Sequence, residues 1–303
     1  MPNLRGHGWW LPQALAGCLP SRGRAKAITQ SENAPAEEDA PAVAAWRLGD
    51  RLGAVMLRSG DLIFYDPRDR SVGIPVQQSG EWEPHVTLVL KRLLRPGAHV
   101  IDIGSNIGCH VVTMARVIGA GGSLLAIEAN PDVADLLRCT VAANHLRQVR
   151  ITQAAVLDRS CEVELFARDE DLGGGAIGVP GWENDPWLRE HRRHRVRAIT
   201  LDDLTADIES IDLIHMDVEG CELAILAGAE RLLSRSLEVK IVCEWGAYHA
   251  PSYFNIEAGL DMLIARGFGF WRIAPDGALL PQSREQMLAR EFGDVVMARQ
   301  PVC

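Results

Sequence analysis

The sequence has no long hydrophobic run, no closely spaced cysteine pair and no excess of positive charge. No apolar stretch approaches the roughly 20 residues that a transmembrane helix needs. Among 303 residues, 31 Lys and Arg stand against 40 Asp and Glu, and the net charge of -9 provides no general attraction for nucleic-acid phosphates. The seven cysteines form no C-x-x-C motif, which disfavours a zinc site and predicts reduced thiols. Nucleic acid and membrane are therefore disfavoured as partners.

The overall composition is that of a folded protein, because hydrophobic residues make up 47% and charged residues 23%. Residues 1–45 are the exception: they are rich in Pro, Ala, Gly and charge, which predicts a flexible leader. Within it, Leu15 to Cys18 resembles a bacterial lipoprotein cleavage box, but the preceding apolar stretch is short and contains Pro12. We favour a cytoplasmic protein and keep export as the alternative.

Two further regions follow the leader. Residues 46–80 alternate short apolar stretches with Gly, Pro and Asp, which predicts a small β-rich cap. Residues 81–303 alternate strand and helix patterns, which predicts an α/β domain with a doubly wound, mostly parallel, seven-stranded sheet. The predicted strands are His99–Ile103, Ser123–Ile127, Val149–Val156, Ile211–Met216, Val239–Cys243, Phe268–Ile273 and Asp294–Ala298.

A glycine-containing turn joins the first of these strands to the first helix. Gly104 and Gly108 let the backbone turn sharply and approach a ligand, and the helix that follows presents unpaired amides. A dinucleotide-binding turn has the spacing G-x-G-x-x-G, whereas Asn106 stands here in place of the middle glycine. The turn therefore favours a ligand without a pyrophosphate.

Glu128 ends the second strand, near the distance along the chain from Gly104 at which an acidic residue meets ribose hydroxyls. A carboxylate accepts hydrogen bonds from both hydroxyls. The alternative is that Glu128 only stabilises the amino end of the following helix. The spacing between the glycine turn and Glu128 favours a nucleoside as the ligand.

The fourth strand ends in a second polar cluster. Asp217 and Glu219 lie at its carboxyl end, where ligands bind in such sheets, and His215 shares a strand face with Asp217. For Glu219 the alternative is a place in the first turn of a helix, and for His215 it is a hydrogen-bonded position in the core.

At these residues the chain resembles the FkbM family of methyltransferases. The similarity covers roughly residues 80–245, on the following motifs: Gly80 to Glu83, Asp102 to Gly108, Glu128 to Pro131, Asn144, Thr200 to Leu204 and Ile211 to Glu222. The resemblance implies a class I methyltransferase fold, S-adenosylmethionine as the cofactor, and a hydroxyl acceptor on a sugar or secondary metabolite. It also implies that the cofactor is surrounded by Glu83, Asp102, Gly104, Asn106, Glu128 and Asp217, to which we add Ser105, Gly108 and Ala155. His215 departs from the family, in which this position is commonly Lys.

Methyl transfer is an in-line displacement, and a hydroxyl acceptor benefits from a general base. The candidates are His215, whose ordinary pKa suits the role, and the carboxylates of Asp217, Glu219 and Glu244. We assign no metal ligand, although a divalent ion held by Asp217, Glu244 and His249 is an alternative. Two other functions stay open: a catalytically silent module that binds S-adenosylmethionine, and a nicotinamide-dependent oxidoreductase.

An insert separates the third and fourth strands. It contains Gly173 to Gly175, Trp182, Trp187 and the basic run His191 to Arg197. It is either an acceptor lid or a solvated loop whose charge protects a strand edge, and we favour the loop. The sequence indicates neither the acceptor nor the oligomeric state.

Overall fold

The computed structural model describes residues 26–27, 43–178, 191–246, 254–290 and 292–302. Most of the predicted leader therefore lies outside the described residues. An antiparallel sheet in the order β1-β2-β3-β4 precedes the main domain; its strands are β1 (Lys26–Ala27), β2 (Ala45–Arg47), β3 (Gly53–Met56) and β4 (Leu62–Tyr65). Gly60, at a φ of 87°, allows the tight turn between β3 and β4. The expected β-rich cap is present, while the limits proposed for the three regions stay a prediction.

The remaining elements alternate between strand and helix. In chain order they are α1 (Gly73–Ser79), α2 (Pro84–Leu93), β5 (His99–Ile103), α3 (Cys109–Ile118), β6 (Ser123–Glu128), α4 (Pro131–Ala143), β7 (Val149–Gln153), β8 (Ala155–Val156), β9 (Cys161–Arg168), β10 (Asp171–Ile177), β11 (Arg192–Ile199), α5 (Leu201–Leu204), β12 (Leu213–Met216), α6 (Glu222–Ala227), α7 (Glu230–Arg235), β13 (Lys240–Glu244), α8 (Ile256–Ala265), β14 (Gly269–Ile273), β15 (Leu279–Gln282), α9 (Arg284–Leu288) and β16 (Asp294–Ala298).

The main sheet has the order β15-β14-β16-β13-β12-β5-β6-β7. From β7 to β13 the neighbours are parallel, and β16 and β15 run antiparallel to their neighbours. The doubly wound α/β prediction is confirmed, but seven strands is wrong by one. The extra strand is β15, which the sequence hides because it contains Pro281 and sits at the sheet edge, where proline is tolerated.

Each face of the sheet is covered by its own hydrophobic core. Val100 on β5 and Leu213 on β12 belong to one cluster, whereas the adjacent Ile101 and Ile214 belong to the other. Side chains alternate across a strand, so a strand buried on both faces is apolar throughout. The central strands are therefore rigid supports for the loops at their carboxyl ends.

The predicted third strand, Val149–Val156, is two strands. β7 stops at Gln153, the amide of Ala154 donates to the carbonyl of Glu128 at 3.1 Å, and β8 leaves the main sheet to pair with β11. The continuous apolar pattern could not reveal this change of sheet.

The insert forms strands and not the solvated loop that we favoured. β8 to β11 make a separate four-stranded sheet in the order β10-β9-β11-β8. Arg195 lies opposite Glu164 and Arg197 opposite Glu162, so cross-strand acids compensate part of the basic run. Trp182 and Trp187 lie outside the described residues.

The prediction of reduced thiols is wrong at Cys139 on α4, which is disulfide-bonded. Cys109, Cys161, Cys221 and Cys243 are free. Spacing along the chain did not indicate this bond because the fold decides which cysteines approach each other. Within the described ranges, none of the helices has the length and apolarity to cross a bilayer.

Candidate cofactor and active site

The turn after β5 is shaped by close backbone contact. Gly104 and Gly108 have φ values of 75° and 98°, and Asn106 shares this left-handed region at 49°. A Cβ atom on Gly104 would collide with the carbonyl oxygen of Asp217. Only glycine therefore lets the ends of β5 and β12 come this close.

Glu128 ties this turn to the loop after β6. Its Oε2 accepts from the amide of Asn106 at 2.9 Å, and its Oε1 accepts from the amide of Asn130 at 2.7 Å. Burial raises the pKa of Glu128 to about 7, although these amides oppose the rise. Each carboxylate oxygen accepts more than one hydrogen bond, so capacity remains for two hydroxyls.

A crevice opens beside this carboxylate, at the carboxyl ends of the central strands. Ala154, Ala155 and Val156, at the end of β7 and in β8, line one side of it. The β-sheet insert contributes Leu165, Leu172 and Gly173. A Cβ on Gly173 would lie 2.8 Å from Asn106 Nδ2, so the insert backbone packs directly on the turn. The insert therefore roofs the crevice, a role that favours neither the acceptor lid nor the solvated loop.

These residues fit an adenosyl nucleoside. Glu128 offers hydrogen-bond acceptors for the ribose hydroxyls, and Ala155 and its neighbours offer an apolar wall for the adenine ring. The carboxylates of Asp217 and Glu219, which also line the crevice, suit the positive charge of the sulfonium. The fit depends on the remaining acceptor capacity of Glu128 and on the absence of a Cβ at Gly104.

A smaller cavity of about 20 Å³ lies on the other side of the turn, with Asp102, His110, His215 and Asp217 in its wall. His215 is 4% exposed, and its Nδ1 is 2.6 Å from Asp102 Oδ1. His110 Nε2 is 2.9 Å from Glu83 Oε2, and the two imidazole rings meet edge to face at 4.9 Å between centroids. Two histidine–carboxylate pairs thus form one cluster, in which Glu83 is half-buried and the other three residues are buried.

In this cluster, burial and the charged partners shift the pKa values of His215 and Glu83 in opposite directions. Burial alone would lower the pKa of His215, but the hydrogen bond and charge of Asp102 raise it above its ordinary value. Burial would raise the pKa of Glu83, but His110 and the other nearby histidines bring it below its ordinary value. The pKa shifts of His215 and Glu83 therefore each favour the ionised form of that residue, because of the partner beside it.

The carboxyl ends of β12 and β13 carry a cluster of three carboxylates, which we call the acidic rim: Asp217, Glu219 and Glu244. Their carboxylate oxygens lie within 4.8 Å of one another. Burial, together with Asp217 and Glu219, raises the pKa of Glu244 to about 9. Burial and the charges of Glu83 and Glu219 raise the pKa of Asp217 well above its ordinary range.

The acidic rim has the chemistry to hold a divalent ion, since carboxylate oxygens are the ligands that Mg²⁺ and Ca²⁺ prefer. The ligand set considered from sequence shares Asp217 and Glu244 with it. His249, its third member, lies outside the described residues.

The structure brings most of the predicted site residues together. Glu83, Asp102 and His215 meet in the histidine cluster, and Ala155 and Asp217 line the crevice. Ser105 Oγ accepts from the amide of Ile127 and donates to the carbonyl of Asp102, so it braces the turn.

Gly108 has a packing reason of its own, because a Cβ there would lie 2.7 Å from Leu137. Sequence reasoning missed His110. Its position two residues after the last glycine of the turn was the available signal.

This sheet order, with a glycine turn after β5 and an acid at the end of β6, is typical of a class I methyltransferase fold. A family model described as "Methyltransferase FkbM domain" matches residues 102–270. The chain belongs to the FkbM methyltransferase family, and S-adenosylmethionine is its cofactor.

Individual relatives are distant. The chain is 26% identical over 158 residues to the 2-O-methyltransferase NoeI of Sinorhizobium fredii, a match that covers 49% of this chain and 64% of that protein. It is 27% identical over 165 residues to a probable cobalt-precorrin-6B C(15)-methyltransferase of Thermoplasma volcanium, covering 53% and 79%. Fibrillarin of Aeropyrum pernix, solved with S-adenosyl-L-methionine, is 13% identical with a TM-score of 0.41, covering 82% and 94%.

Proposed function

We propose that the methyl acceptor of this enzyme is a hydroxyl group, on a sugar or a secondary metabolite. The acidic rim is the observation that carries the proposal, because a hydroxyl must lose its proton as it is methylated and the rim offers carboxylates with raised pKa values beside the crevice. NoeI, a 2-O-methyltransferase, is similar to this chain, whereas the cobalt-precorrin relative methylates carbon.

The cofactor would be held by residues around the crevice and the turn: Glu83, Asp102, Gly104, Ser105, Asn106, Gly108, Glu128, Ala155 and Asp217. When bound, S-adenosylmethionine supplies an electrophilic methyl group. Glu128 would accept hydrogen bonds from the ribose hydroxyls. The apolar wall and the insert above it would exclude water from the reacting groups.

Glu244 would accept the acceptor's proton on a carboxylate oxygen. Burial and the charges of Asp217 and Glu219 raise its pKa, which makes its ionised form a stronger base. We do not assign this role to His215, because that ring is buried and hydrogen-bonded to Asp102. His215 instead holds Asp102 in place.

The test is turnover of the purified protein with isotopically labelled S-adenosylmethionine and a panel of sugars and small hydroxylated metabolites. We expect label to transfer to oxygen of one acceptor class, and an analogue that lacks the hydroxyl to remain unlabelled. Transfer to carbon or nitrogen would overturn the proposal. Tight cofactor binding without S-adenosylhomocysteine formation across the panel would support the silent module. A cytoplasmic location remains a proposal that cell fractionation tests.

A further inference from the structure

Glu83 has an unusual backbone. It is a non-glycine residue in the left-handed region, at a φ of 40°, immediately before the first residue of α2. Pro84, which follows it, disfavours a helical conformation for the preceding residue, so the helix begins abruptly here. Left-handed backbone at such a residue is costly and persists where surrounding contacts hold it.

The side chain of Glu83 does not cap its own helix. It crosses instead to His110, on the second residue of α3, with 2.9 Å between Oε2 and Nε2. The carboxylate is acceptor-only when ionised, so the imidazole Nε2–H donates. His110 is thus the partner that orients the Glu83 carboxylate, and His110 itself lies in the wall of the small cavity.

Two polar atoms of this cluster lack a hydrogen-bond partner among the described residues: His110 Nδ1 and Asp102 Oδ2. Both residues are buried, at 8% and 1% exposure, and both lie in the cavity wall. Unpaired buried polar atoms are costly, and a site that binds a charged ligand is one place where they are kept. The cavity volume of about 20 Å³ is room for one water-sized polar group.

We propose that His110 is a positioning residue for cofactor binding: its hydrogen bond fixes the direction of the Glu83 carboxylate next to the cluster of Asp102 and His215. The inference rests on the proposed cofactor role of Glu83 and is independent of the acceptor. The edge-to-face contact with His215 extends the same restraint to Asp102, so His110 links α2 to the glycine turn.

Three substitutions of His110 separate positioning from packing. His110→Gln can place an amide donor near the site of Nε2, His110→Asn places one near Nδ1 and cannot reach Glu83, and His110→Phe keeps the ring without a donor. We expect the dissociation constant for S-adenosylmethionine, measured by calorimetry without acceptor, to rise about 10-fold in the Phe and Asn variants and less than about 3-fold in Gln. If the ring only packs, Phe will bind best, which would overturn the proposal.

A double-mutant cycle tests whether His110 acts through Glu83. Glu83→Ala should weaken binding, and His110→Phe added to it should cause less than about a 2-fold further change. Additive losses would overturn the positioning role while leaving Glu83 as a cofactor residue. Unchanged binding in Glu83→Ala would overturn the cofactor assignment itself.

The matched control is His99→Phe. It removes a histidine hydrogen bond, to Ser123 at 2.8 Å, from the opposite end of β5. We expect it to leave cofactor affinity unchanged. Circular dichroism on every variant confirms that the measured protein is folded.

Discussion

The histidine cluster and the acidic rim lie at the same end of the sheet, but their carboxylates have different neighbours. In the cluster, each carboxylate faces an imidazole: Asp102 pairs with His215, and Glu83 pairs with His110. In the rim, carboxylates face one another, and their pKa values rise. A paired charge holds its side chain in place, whereas a carboxylate with a raised pKa is suited to take a proton.

The largest effect is expected from replacing Glu244, the proposed general base of the acidic rim. In Glu244→Gln we expect turnover to fall by about 10²- to 10⁴-fold, the usual contribution of a general base, with cofactor affinity nearly unchanged. Wild-type turnover should rise as the pH approaches 9, the region of the Glu244 pKa, and that rise should disappear in the variant.

Glu238→Gln, an exposed position shortly before β13, is the matched control and should keep wild-type turnover. Full activity of a folded Glu244→Gln protein would move the base to Asp217, Glu219 or His215.

The histidine cluster is tested through stability. His215→Leu leaves Asp102 buried without its partner, and we expect the free energy of unfolding to fall by about 3 kcal/mol. The raised pKa of His215 contributes stability that is fully present below its ordinary value of 6.5 and is lost as pH rises through the folded value, so the loss should be largest in acid. Urea unfolding at several pH values measures it.

His215→Asn keeps a donor for Asp102 and should retain turnover. A folded Asn variant with turnover reduced 10²-fold or more would instead identify His215 as the base.

The shape of the site was less visible from sequence than its chemistry. The strand His99–Ile103 was predicted to the residue because a buried apolar run ends at Gly104. The insert roof was missed because it depends on β8 leaving one sheet for another, which no local pattern records. The pairing of Glu83 with His110 was also invisible, since it depends on how α2 and α3 are placed in space.

A smaller effect is expected at the cofactor's ribose. Glu128→Ala should weaken S-adenosylmethionine binding by about 1 to 3 kcal/mol, because it removes charge-assisted hydrogen bonds and frees the amides of Asn106 and Asn130. Glu128→Gln, which keeps an acceptor, should lose less. Calorimetry with unchanged affinity in the folded Ala variant would remove Glu128 from the ribose.

The smallest expected effect is a gain in stability in the rim. The raised pKa of Glu244 means that its contribution to stability is fully present below pH 4.5 and is lost as pH rises toward about 9. Glu244→Gln should therefore match the wild type in acid and be about 1 kcal/mol more stable at pH 8. Equal stability at both pH values would show that the rim carboxylates do not repel one another in solution.

Arg68 and Asp69, in the segment before α1, connect the N-terminal region to the insert above the crevice. Asp69 is fully buried, and its carboxylate accepts from the amides of Gly73 and, across the molecule, Leu172 in the insert roof. Arg68 meets Asp169 on the same hairpin at 3.0 Å. The FkbM match begins at residue 102, but the roof of the cofactor crevice is anchored upstream of it. We therefore expect the smallest fragment that keeps this crevice to include residues 46–80, the predicted cap.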